Sequence, residues 1–311
     1  MKVDVEVLKN FEERLNPAKP ENIKIIGYGE ISTVFELPEL PGIALKRIPN
    51  FKSVEQVKRY IDLYFEYIDL LGRVGLRVPE SDATFVERRD GKTVLYIAQK
   101  MVENVGNKVI QGAKVDEAEE VFDRVLAEMK KVWDFNAENR EEGLEIGIDG
   151  QISNWAIMEE VYYFDTSTPM IRKNGIHQLD TEVFLQACPP GIRILLKKLF
   201  LQDILERYFD FRKVVVDMIA NLYKEDREDL IPIAINLANE FFKLQGYDFW
   251  AITAKEVEKY YKEDAFHLES LPESKESAQI YPYKGSLREI RVHSPRKNQE
   301  VGFIAKDKTI K

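Results

Sequence analysis

At 311 residues the chain is about twice the usual single-domain length, so one large two-lobed domain or two domains is expected. Apolar residues make up 44%, enough for a substantial core, and the 32% charged residues are mixed in sign, as suits a hydrated surface. A net charge of -9 argues against a protein held to nucleic acid by phosphate neutralisation, and no uncharged run approaches membrane-spanning length.

The single cysteine, Cys188, cannot close an intramolecular disulfide. Three scattered histidines, His177, His267 and His293, argue against a zinc centre built from His and Cys. The start Met1-Lys2-Val3-Asp4 has no apolar signal core, so the cytoplasm is the expected location.

In chain order, the first third reads as strands around one helix. Ile23-Lys24-Ile25-Ile26 is a short apolar run ending in Gly27-Tyr28-Gly29, 33–37 resumes strand composition, and Ile43-Ala44-Leu45-Lys46 is a third strand; together they predict an antiparallel meander. A long helix is predicted over 53–71, with Ser53 as N-cap and Gln56 as its capping-box partner. Val54, Val57, Ile61, Tyr64, Ile68 and Leu71 form its apolar stripe, and Gly72 and Gly75 end it. Two more strands follow, over 83–87 and 93–100.

The stretch 104–112 reads as a loop and 115–135 as a helix, with Ala118, Phe122, Val125, Met129 and Trp133 on one side. Short extended pieces come next at 144–148, 155–158 and 161–164, and the pattern from 181 to about 261 is helical. The tail from 273, rich in Ser, Lys and Pro, is expected to be irregular, with Tyr281, Tyr283 and Phe303 available to dock on the body. Strands first and helices later give an α+β class with two lobes and a cleft between them.

Residue types able to handle phosphate recur in a fixed order. Gly27-Tyr28-Gly29-Glu30-Ile31-Ser32-Thr33-Val34 lies between two predicted strands and follows the pattern G-x-G-x-x-G-x-V, with Ser32 in the third glycine position. Small residues there let a backbone close over phosphates. Lys46 ends the next strand, where a lysine pairs α- and β-phosphates. On the following helix Glu66 is the candidate to hold that lysine, preferred over Glu55, although it also reads as a surface residue roughly opposite the main stripe.

Asp149-Gly150-Gln151-Ile152-Ser153-Asn154 keeps a D-x-x-x-x-N spacing, in which the Asp orients an acceptor hydroxyl and the Asn holds a metal ion. After a strand, a turn and a second strand comes Asp165, placed as the main magnesium ligand.

In this order the chain resembles the protein-kinase-like superfamily, closest to its aminoglycoside phosphotransferase and choline kinase branch. The resemblance spans roughly residues 20 to 260 and includes the step Val78-Pro79 and the hairpin around Arg89-Asp90-Gly91. It implies an N-lobe over 1–103, a C-lobe over 104–272 and a tail over 273–311. It implies a hinge at 99–103, where Gln99 and Met101 meet the nucleotide base through backbone groups. The set it implies is ATP held by Gly27, Gly29, Ser32, Val34, Lys46, Glu66, Gln99 and Met101, Mg²⁺ on Asn154 and Asp165, and Asp149 as the catalytic residue. The implied reaction is γ-phosphoryl transfer; a nucleotide-binding pseudokinase is the alternative.

Three positions depart from the family pattern. Gly147 stands where a histidine is usual, Ser167 where a glycine is frequent, and Ser32 for the third loop glycine. Between Asp165 and the predicted helix near Thr181 the chain is short and lacks an A-P-E motif, which favours a small-molecule acceptor over a protein. Thr166-Ser167-Thr168 reads as a solvated loop, with phosphorylation of its hydroxyls as the alternative. The acidic excess, 54 Asp and Glu against 45 Lys and Arg, is compatible with a cationic acceptor.

Overall fold

The computed structural model describes residues 1–15, 23–28, 33–89, 91–183 and 205–270; Gly29, Ser32, Cys188 and the segment 273–311 lie outside them. An antiparallel five-stranded sheet comes first, with strand order β1-β2-β3-β5-β4. Its strands are β1 (Lys24–Tyr28), β2 (Thr33–Glu36), β3 (Ile43–Phe51), β4 (Ser81–Glu87) and β5 (Thr93–Lys100).

Alternation along β3 gives the sheet two covered faces. Leu45 turns to one side, into a cluster with Phe35, Tyr96 and Ala98. Ile48 turns to the other, with Leu95 and Ile97. The first face is closed by α1 (Val5–Arg14), through Leu8 and Phe11, with Asp4 as its N-cap. The sequence reading held one helix in this region, so α1 is an addition. It is amphipathic but only ten residues long.

The second face is closed by α2 (Val54–Val74). Ser53 caps it by accepting from the Gln56 N–H at 3.2 Å, and the Gln56 side chain returns to the Lys52 N–H at 2.8 Å. It stops at Gly75, whose φ of 87° is left-handed and open only to glycine without strain; Leu76 N–H closes back on the Leu71 carbonyl at 3.0 Å. The buried side of α2 is Gln56, Val57, Tyr60, Tyr64, Tyr67, Leu70 and Leu71. The predicted stripe is therefore rotated: Val54, Ile61 and Ile68 are only half-buried, and tyrosines take their place.

The second part is mainly helical. The stretch expected to be a loop contains α3 (Gly106–Gly112), and α4 (Val115–Glu138) follows at once. Short strands β6 (Leu144–Ile146), β7 (Trp155–Ile157), β8 (Val161–Tyr163), β9 (Ile171–Lys173) and β10 (Ile176–His177) form one hairpin, β7-β8, and one small sheet ordered β10-β9-β6. The last two strands were not expected. Helices α5 (Phe211–Ala220), α6 (Ile231–Leu244) and α7 (Ala254–Ser270) complete the described chain.

A continuous apolar core runs from Tyr67 and Leu70 of α2 through Phe122, Val125 and Met129 of α4 to Val215 and Ile219 of α5. The α+β class, with sheet and helix first and helices later, is the one expected. No helix among the described residues is long and apolar enough to cross a membrane.

Candidate active site

The sheet register places three of the nominated residues in one row. Gly27 pairs with Val34, and Val34 pairs with Lys46 across β3. Directly opposed residues share a face, and here it is the face covered by α2. A register shift between Ile25 and Gly27 marks a bulge just before the glycines.

Lys46 reaches out of the sheet to the second part of the molecule. Its Nζ donates to Asp165 Oδ1 at 2.9 Å and to the Ser167 hydroxyl, and that hydroxyl donates to Asp165 Oδ1 at 3.2 Å. Burial alone would raise the Asp165 carboxyl. The charge and hydrogen bond of Lys46, helped by Ser167, hold it below the usual carboxylate range.

A carboxylate with a lowered folded-state pKa stabilises the fold above its unfolded value, about 4, and loses that contribution as pH falls through the folded value. Lys46→Met should therefore destabilise the protein most near neutrality. The gap in melting temperature from wild type should shrink between about pH 5 and pH 2. A gap that stays constant over that range would show that the pair is not the cause. Side chains 20% and 30% exposed keep the effect moderate.

Glu66 requires a correction. Its carboxylate pairs with Lys173 of β9 at 2.6 Å, whereas Lys46 is held by Asp165 and Ser167. At 100° per residue Glu66 points away from the buried side of α2, which is its surface alternative. Thr166 and Ser167 also differ from the solvated loop expected of them. They are 1% and 7% exposed, packed under α2.

Near the end of β5 the Gln99 amide donates to Thr166 Oγ1 at 3.4 Å. The Met101 N–H donates to the Gly42 carbonyl at 2.9 Å, which engages one of the backbone donors expected to face a base.

The loop carrying Asp149 is fixed at nearly every step. Asn136 of α4 brackets Ile146, accepting from its N–H at 2.9 Å and donating to its carbonyl at 2.8 Å. The Ile148 N–H donates to the Tyr208 carbonyl. A Cβ on Gly147 would lie 2.8 Å from that same carbonyl, so no side chain fits there, histidine included. A Cβ on Gly150 would stand 2.4 Å from Val214 of α5.

Asp149 Oδ1 accepts from the Gln151 N–H at 3.1 Å, and the Asp149 N–H donates to the Tyr163 hydroxyl at 3.2 Å. Asn154 donates its amide to the Asp149 carbonyl at 3.3 Å. The Gln151 side chain donates to Asp217 of α5 at 3.3 Å. Sequence reasoning did not find Asp217. It interrupts the apolar run Val214-Val215-Val216 and Met218-Ile219-Ala220, which is the signal that was available. Burial raises its carboxyl, with Lys224 and Arg207 opposing.

The β7-β8 hairpin joins the two loops. Trp155 pairs with Tyr163, and the Phe164 N–H donates to the Asn154 carbonyl at 3.0 Å, so Asp165 emerges beside Asn154. Asp149 and Asp165 both act electrostatically on the buried hydroxyls of Tyr67 and Tyr163, whose pKa values burial, first of all, pushes up. Among the described residues no group of three or more His, Cys, Asp or Glu side chains could hold a metal by itself. Asn154 and Asp165 supply two oxygen donors. That suits a magnesium ion completing its shell with water and phosphate oxygens.

A model for a family of unknown function, DUF6206, matches residues 9–269. The chain belongs to that family. The match covers the sheet, both loops of the site and almost all of the helical part described above. No curated protein matches the chain. Among solved structures, the GDP complex of a point mutant of aminoglycoside 2'-phosphotransferase-IIIa is similar at 12% identity, with a TM-score of 0.35, over 76% of this chain and 96% of that one.

Proposed function

We propose that this member of DUF6206 binds a nucleoside triphosphate with Mg²⁺ between its sheet and its helical part and transfers the γ-phosphoryl group to a hydroxyl of a small molecule. The observation that carries the reading is the Lys46–Asp165 pair, which joins the sheet to the turn beside Asn154. A phosphate-binding lysine, two metal donors and a second carboxylate, Asp149, lie on adjoining elements, as phosphoryl transfer requires.

In this reading Gly27, Gly29, Ser32 and Val34 roof the phosphates and Lys46 holds the α- and β-phosphates. Gln99 and Met101 border the base, and ATP is the expected nucleotide. Glu66 takes no part, because Lys173 holds it. Asn154 and Asp165 would hold the metal, which supplies charge neutralisation at the phosphate oxygens.

Asp149 orients the acceptor hydroxyl and takes its proton as the new P–O bond forms. The bond from the γ-phosphorus to the β–γ bridging oxygen breaks, and the nucleoside diphosphate leaves. The proposed division near residue 103 puts the nucleotide in the cleft, with the acceptor beside Asp149.

The experiment is a melting-temperature series with ATP and GTP, each with and without Mg²⁺. A native-state ligand at about 100 times its Kd stabilises by roughly 2.7 kcal/mol, a shift of several degrees or less. Asp165→Ala is expected to remove the magnesium-dependent part. If no purine nucleotide moves the transition under either condition, the reading is wrong. Where nucleotide binds, labelled ATP with a filtered metabolite extract and with a proteome extract tests the acceptor class.

A second reading, nucleotide binding without transfer, is favoured by one observation: α2 gives Lys46 no carboxylate partner. Tight ATP binding with no transfer to either extract would select it.

A further inference from the structure

Three tyrosines on the buried side of α2, at spacings of four and three, put their hydroxyls on the two loops of the site. Tyr60 donates to the Ser167 carbonyl at 2.8 Å. The Tyr64 hydroxyl lies 3.4 Å from Thr166 Oγ1. Tyr67 donates to the Gly147 carbonyl at 2.7 Å. All three side chains are buried, Tyr60 to within 4% and the others completely.

Each hydroxyl acts on the neighbourhood of a charged residue. Ser167 is bonded to both Lys46 and Asp165. Gly147 stands two residues before Asp149, in a position that admits no side chain. Next to Tyr67, Tyr163 takes the Asp149 N–H. α2 thus has no carboxylate on Lys46, yet it is hydrogen-bonded to the backbone around both Asp165 and Asp149.

We propose that Tyr60 and Tyr67 are positioning residues: α2 sets the Asp165 turn through Tyr60 and Ser167, and the Asp149 loop through Tyr67, in place of a helix glutamate on Lys46 and a histidine before Asp149. The two tyrosines have separable effects. Tyr60 governs where Lys46 and the metal-side carboxylate stand. Tyr67 governs where the proton-accepting carboxylate stands. A movement of α2 along the sheet would change both loops together, which makes the helix a mechanical link between nucleotide side and acceptor side. The proposal rests on the phosphotransfer reading for its consequences, but its Tyr60 half concerns the setting of Lys46 and can be tested without nucleotide.

Tyr→Phe keeps each buried ring and removes one hydroxyl. The first measurement is the rate at which Lys46 is acylated by an N-hydroxysuccinimide ester, read by mass spectrometry, with exposed Lys24 as internal reference. Tyr60→Phe and Ser167→Ala should each raise Lys46 labelling about threefold or more by loosening its partner turn, a change within the worth of one hydrogen bond. Tyr67→Phe and the remote Tyr223→Phe should leave it unchanged. Equal labelling of Lys46 in wild type, Tyr60→Phe and Ser167→Ala overturns the proposal, whatever the protein binds.

The second measurement is ATP affinity by titration calorimetry, with and without Mg²⁺. Tyr60→Phe should weaken Mg-ATP binding about three- to tenfold and metal-free ATP binding by a smaller factor, because without the metal only the Lys46 contact is disturbed. Tyr67→Phe should leave both within twofold and lower the transfer rate instead. If Tyr60→Phe weakens binding equally with and without metal, general loosening explains it and the positioning role falls. If wild type binds no nucleotide, the phosphotransfer reading falls while the labelling result still decides the role of Tyr60.

Discussion

Asp149→Asn is expected to lower phosphoryl transfer by about 10²- to 10⁴-fold, the span typical of losing a general base, with nucleotide affinity within about twofold. The argument comes from where Asp149 sits. Its loop is fixed from α4 by Asn136, from α2 by Tyr67 and from α5 through Gln151 and Asp217, so the amide should occupy the same place. The Gln151 N–H that bonds Oδ1 can still bond an amide oxygen in the same position. What the substitution removes is the capacity to take a proton. Single-turnover transfer with labelled ATP, beside calorimetric affinity for Mg-ATP, separates the two effects. Loss of affinity in step with rate would place Asp149 on the phosphates instead.

Glu12→Ala should destabilise the protein by about 3–5 kcal/mol, the usual result of stranding one partner of a buried ion pair. Glu12 of α1 and Arg47 of β3 have side chains only 3% and 4% exposed, and the pair is bidentate, at 2.6 and 3.1 Å. The Tyr96 hydroxyl also donates to Glu12, and Arg88 stands 3.8 Å away. Without Glu12 the Arg47 guanidinium stays between α1 and the sheet with no carboxylate. Arg47 is the neighbour of Lys46 on β3 and faces the other way. Urea unfolding followed by circular dichroism measures it. Arg47→Met with Glu12→Leu and Tyr96→Phe should recover much of the deficit, since apolar groups of similar volume replace the charges and no buried hydroxyl is left unpaired. A single substitution costing under about 1 kcal/mol would show that the pair is better hydrated than its burial implies.

Most of the elements and their order are legible in the sequence. β5 was read over 93–100 and stands there, α4 begins at Val115 as read, and Ser53 caps α2 with Gln56 as its partner. Those features depend on periodicity, caps and turn residues, which act over a few positions and are therefore visible in the chain itself. Lys46 and Asp165 could be nominated by local pattern, one on the apolar strand β3, which runs on to Phe51 where the sequence ends it at Lys46, and the other following a hairpin.

The tertiary structure alone decided which partners those residues take. Lys46 and Asp165 are 119 positions apart, and Glu66 finds Lys173, more than 100 residues on. Such pairings depend on how lobes and loops are packed, and no local signal carries them. The face of α2 that turns inward was misread by part of a turn. Tyrosine is both apolar and hydroxylated, and only loops with unmet carbonyls nearby make Tyr60 and Tyr67 better buried than Ile61 and Ile68. α1 was missed because its worth lies in covering a second sheet face, and β9 and β10 because two or three residues hold no period. Thr166 and Ser167 look like loop hydroxyls in the chain; being roofed by α2 is what makes them interior groups, and interior hydroxyls must bond something.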